Sequence, residues 1–97
     1  MATRFVITRH ALLRFAERYE RIQELEPAQY RPFLLGELER AVLFGVQPHY
    51  DQFLLLACGS VAAVVWHNGT GYVKTVLTRA QAMRLTYSGK RTNRAAA

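Results

Sequence analysis

Cysteine is nearly absent from this chain. Cys58 is its only thiol, so no intramolecular disulfide can form. A secreted domain of this size usually carries several cysteines, and the run Met1–Ile7 is broken by Arg4, so no secretory leader is expected. Both features point to the cytoplasm. Long apolar runs are missing too. Residues 52–73 carry no charge, but Gly59-Ser60 interrupts the apolar stretch and His67-Asn68-Gly69-Thr70-Gly71 follows it. A bilayer helix needs about 20 apolar residues, so buried strands are expected here and no membrane contact.

The third absence is of acid. Residues 52–97 contain no aspartate or glutamate, whereas residues 1–51 balance seven acids against seven arginines. The formal charge of +6 therefore resides on Lys74, Arg79, Arg84, Lys90, Arg91 and Arg94. A segment without carboxylates attracts polyanions, and arginine, which supplies 11 of the 13 cations, suits bidentate phosphate contacts. These six and Arg18 are the candidate nucleic-acid contacts, unless the charge serves only solubility.

What is present fits one domain. Ninety-seven residues, 51% of them apolar, can build a single core. Phe5-Val6-Ile7 reads as a short strand and Thr8 as a helix N-cap. From Arg9 to about Leu25 the pattern is helical, with Leu12, Phe15, Tyr19 and Ile22 on the core side. His10, Arg14, Glu17, Arg18 and Arg21 lie opposite, and Glu17 and Arg21 form an expected i,i+4 pair. A second helix is expected from near Pro32, with Phe33, Leu34, Leu38, Ala41 and Val42 as its apolar face and Gly45 beyond its end.

Three strands follow, over residues 53–58, 61–66 and 72–77, with Asn68-Gly69 as a hairpin signal. Alternation along the last puts Val73, Thr75 and Leu77 on one face and Tyr72, Lys74 and Val76 on the other. Thr78-Arg79-Ala80-Gln81 has the form of a capping box, so a short helix should begin there and bury Ala82, Met83 and Leu85. The expected fold is α+β: β-α-α, then a three-stranded antiparallel meander and a short C-terminal helix. It occupies residues 1–87, and residues 88–97 form a basic tail expected to be disordered.

Few residues could carry chemistry. His10 and Arg14 share a face one helical turn apart, as a proton carrier and a phosphate-holding cation would, or as part of a solvated polar face. Lys74, Thr75 and Thr78 are candidate partners. The three histidines lack ligand spacing, so no metal is expected. No P-loop, dinucleotide-binding glycine pattern or nucleophile elbow occurs, so no cofactor is expected. Trp66, Tyr72 and Tyr87 could stack on bases or simply fill the core.

The string Ile7-Thr8-Arg9-His10-Ala11-Leu12-Leu13-Arg14-Phe15-Ala16-Glu17-Arg18 resembles the opening of small bacterial and phage domains related to the barnase–colicin–RelE group of ribonuclease toxins. The string Val73-Lys74-Thr75-Val76 resembles their last strand. This resemblance implies a metal-independent endoribonuclease with His10, Arg14 and Thr75 at the active-site positions, and RNA rather than DNA as the partner. In one respect the chain departs from the pattern. Its first two meander strands are apolar where those domains carry polar residues. That leaves open a domain that binds nucleic acid without cutting it. It also leaves open one that buries this surface against another protein, as an inhibitor or antitoxin does, or against a second copy.

Overall fold

The computed structural model describes residues 4–47 and 49–85. The expected tail 88–97, with Lys90, Arg91 and Arg94, and Tyr87 lie outside the described residues.

The first strand, β1 (Arg4–Ile7), leads into helix α1 (Arg9–Arg18). Thr8 caps it as expected, its hydroxyl accepting the Ala11 N–H at 3.2 Å. The helix stops at Arg18 instead of continuing to Leu25, because Tyr19 turns extended at φ −79° and ψ 118°. That turn lays the Tyr19 ring against Phe15, 5.1 Å between centroids, and against Phe33, at 5.5 Å. Ending the helix there also breaks the expected Glu17–Arg21 pair. Arg14 binds Glu17 instead, and Arg21 binds Glu24 beside a single 3-10 turn, Ile22–Glu24. Leu12, Phe15, Tyr19 and Ile22 nevertheless all pack into the core.

Helix α2 (Tyr30–Glu39) ends before Ala41. Val42, expected on its apolar face, and Gly45, expected past its end, instead belong to strand β2 (Val42–Gln47), and Ala41 lies between the two elements. Helical spacing of Leu38, Ala41 and Val42 loses here to sheet pairing, since Val42 and Leu43 pair with Leu55 and Leu54 of β3 (Tyr50–Leu55). Strands β4 (Val61–His67) and β5 (Thr70–Leu77) complete the chain's β segment. They are joined by Asn68 and Gly69, both at positive φ, 49° and 80°. This two-residue turn matches the twist of the hairpin.

The sheet has five strands in the order β1-β5-β4-β3-β2, which corrects the expected three-stranded meander. Four strands form the antiparallel part, and β1 adds to β5 in parallel, Phe5 beside Gly71 and Ile7 beside Val73. The approach there is close. A Cβ on Gly71 would meet the rings of Phe5 and Trp66 at 3.0 Å, so a side chain there would have to push one of these rings aside.

Two apolar layers flank the sheet. Ala62, Val64, Val73 and Val76 face α1 and α2 with Phe15, Leu34 and Leu38. Phe53, Val61, Ala63 and Leu77 face the other way, against Ala82. The expected alternation along β5 fails at Lys74. Ala63 pairs with Thr75 and Val64 with Val73, which leaves Lys74 as an extra residue in a β-bulge. The bulge puts Val73 and Val76 in the same layer and turns Thr75 and Leu77 to the opposite one. A further helical stretch, α3, covers residues 79–85. Its capping box forms, with Thr78 N–H to Gln81 Oε1 at 2.9 Å and Gln81 N–H to the Thr78 hydroxyl at 3.2 Å. Ala82 is buried, but Met83 and Leu85 face outward, contrary to expectation.

Candidate nucleic-acid interface

α1 runs on past the end of β1 along the free side of β5. Thr8 donates its backbone N–H and its hydroxyl to the carbonyl of Val73, at 3.2 and 2.8 Å. Arg18 donates Nη1–H to the carbonyl of Val76 at 2.6 Å. Sheet-edge carbonyls that lack a neighbouring strand are satisfied this way, because an unpaired buried carbonyl is costly. The same bond fixes the Arg18 guanidinium and leaves its remaining N–H groups directed elsewhere.

Beside that guanidinium lies a cleft of about 380 Å³. Its walls are the end of α1 with Arg18, the segment after it with Arg21, the β3–β4 turn with Cys58 and Ser60, and the start of α3 with Thr78 and Arg79. Glu20 is the one carboxylate lining it among the described residues. Arg21 is shared with Glu24 through two hydrogen bonds, at 2.7 and 2.9 Å, and these hold the Glu24 carboxyl below its ordinary pKa. The Cys58 thiol is pushed above the ordinary thiol value, chiefly by burial. Its backbone N–H donates to Glu37, a buried carboxylate that also holds Arg40. The raised pKa leaves less thiolate at neutral pH, which makes this cleft-lining thiol a weaker nucleophile than an ordinary one. Burial likewise raises the Tyr19 phenol.

The candidate residues fall in different places. Arg18 and Arg79, 61 positions apart in sequence, meet in the cleft. Arg21 was not singled out as a contact; it reaches the cleft from the segment that follows the end of α1. Arg84 is exposed on α3, and Lys74 is exposed on the bulge with its ammonium 6.0 Å from the centre of the Tyr72 ring. His10 is exposed in the first turn of α1, and Arg14 is engaged by Glu17 at 2.6 Å. Thr75 is 7% exposed and stands beside Ala63 in the layer facing away from the core side of α1. The structure thus brings two of the cations together, while Thr75 is turned into a different layer from the one that seats α1. Of the aromatic candidates, Trp66 packs against Phe5 and donates its indole N–H to Gln52 at 2.7 Å.

Among the described residues, no group of three or more His, Cys, Asp or Glu is placed to hold a metal ion, and no helix is long and apolar enough to cross a membrane. No protein-family model, curated protein or solved structure matches the chain.

Proposed function

We propose that the domain binds nucleic acid, RNA in preference to DNA, by seating backbone phosphate in the Arg18–Arg21–Arg79 cleft, and that it does so without cleaving the strand. The observation that carries this reading is the meeting of Arg18 and Arg79 across one cleft with a single carboxylate in its wall. Guanidinium groups match phosphate oxygens bidentately, and one already fixed to a backbone carbonyl loses little freedom on binding. The resemblance to ribonuclease toxins favours RNA.

Cleavage without metal asks for more. A base must take the 2′-hydroxyl proton, an acid must protonate the leaving oxygen, and a cation must stand at the same phosphate. His10 on the open helix face, Arg14 on Glu17 and Thr75 inside the sheet do not form such a set. The test is titration of labelled RNA and DNA oligonucleotides at about 50 and 200 mM salt, with the labelled strand examined afterwards for breaks. Tight binding at the lower salt that collapses at the higher, with the strand intact, supports the reading. Binding that ignores salt, or none, removes it, and breaks lost in His10→Ala would restore the nuclease reading.

A further inference from the structure

The two edges of the sheet are treated differently. At the β1–β5 edge, Thr8, Arg18 and Arg31 each donate to an edge carbonyl, those of Val73, Val76 and Ile7. At the other edge, β2 is outermost, and among the described residues no side chain bonds its outward backbone groups. It also shows three large apolar side chains to solvent, Val42 at 60%, Leu43 at 61% and Val46 at 55%. Natural edge strands are ordinarily guarded by charge, proline or a covering segment, yet Val42–Gln47 carries no charged residue and no proline. Two register irregularities, between Leu43 and Gly45 and between Gly45 and Gln47, interrupt its ladder with β3.

We infer that the chain forms a two-fold dimer by antiparallel pairing of β2 with β2 of a second copy, joining two sheets into one. An open backbone edge is completed by a strand, since only a strand supplies alternating donors and acceptors at that spacing. The charge identifies which strand. Arg40, just before β2, is paired with Glu37 at 2.8 Å, and β2 itself carries no charged residue. An uncharged strand fits it, and β2 of a second copy is one. Two copies of Val-Leu-Phe-Gly-Val-Gln place no like charges opposite each other despite the net +6 of each chain. The pairing also leaves the arginine cleft clear, since the cleft is formed by α1, α3 and the β3–β4 turn and not by β2.

The experiment is the mass of the full chain in solution without nucleic acid, by sedimentation equilibrium at high micromolar concentration, so that its result does not depend on the binding reading. The expected mass is twice the 11.1 kDa of one chain. Leu43→Lys and, separately, Val46→Lys should each return the single-chain mass with an unchanged circular dichroism spectrum. Leu13→Lys, at a residue 56% exposed on α1, should remain a dimer. A single-chain mass for the wild type, as expected if a strand of another protein is the natural occupant, overturns the inference. So does a dimer that survives both β2 substitutions.

Discussion

Arg18, at the end of α1, donates Nη1–H to the backbone carbonyl of Val76, 58 positions further along the chain, at 2.6 Å. One side chain thereby closes an open length of sheet edge and presents a fixed cation to the cleft beside it. Structure and proposed binding share this residue, so its substitutions should move both. Arg18→Ala should lower stability by roughly 1.5–3 kcal/mol, the range for a hydrogen bond to a charged group, read from chemical denaturation. Arg18→Lys should recover part of the stability and less of the oligonucleotide affinity, because a lysine cannot hold a carbonyl and a phosphate with one planar group.

Glu37 supports the opposite wall. It is 4% exposed, accepts the Cys58 N–H at 2.7 Å and holds Arg40 at 2.8 Å. Glu37→Ala strands a part-buried N–H and should cost about 1–3 kcal/mol in urea unfolding. Glu37→Gln keeps an acceptor for Cys58 and should cost less. Equal losses in the two would show that the acceptor is not what matters.

Much of the local structure was legible because its cause is local. Thr8, the Thr78–Gln81 box and the Asn68-Gly69 turn act within four residues, and each forms where its residue types suggest. The stripe Leu12, Phe15, Tyr19 and Ile22 also finds the core, although the helix carrying it stops at Arg18 so that Tyr19 can stack on Phe33. What was not legible depends on distant pairing. The segment 42–47 has helical spacing behind it and becomes a strand only because β3 lies beside it. The parallel pairing of β1 with β5, and the bulge at Lys74 that turns Thr75 away from Val73, are set by the register of strands some 60 positions from α1 or on the neighbouring hairpin arm. For the site, Arg79 stood out as a cation of the acid-free half, and Arg18 was read separately on the polar stripe of the first helix. Their meeting required the sheet order.

Alkaline pH should weaken the fold. Burial raises the Cys58 and Tyr19 pKa values above their unfolded values, so the folded state holds these protons more tightly. The stability they contribute is complete below the unfolded thiol's pKa, about 8.5. It is lost as the pH rises through that value toward the higher folded one. The urea midpoint should fall across this alkaline window, and Cys58→Ser should flatten the first part of the fall. A midpoint that rises there would contradict the sign of both shifts.

His10→Ala should leave oligonucleotide affinity within about twofold and should not alter the integrity of a labelled RNA, since His10 stands on the exposed side of α1 outside the cleft. Gel analysis of wild type and variant after long incubation in excess chelator checks this. A band pattern present in the wild type and absent in the variant would make His10 a catalytic residue.

The most direct test of phosphate seating in the arginine cleft is the salt dependence of RNA binding for wild type and for the Arg21→Gln/Arg79→Gln double variant, which leaves the Arg18–Val76 bond in place. For single strands each phosphate contact contributes about 0.7 to the slope of log affinity against log salt. The account predicts weaker binding by the double variant and a slope reduced by about 1.4, with only a small fall in the urea midpoint, because the Arg21–Glu24 pair that is lost is exposed. Equal slopes for the two proteins would contradict it.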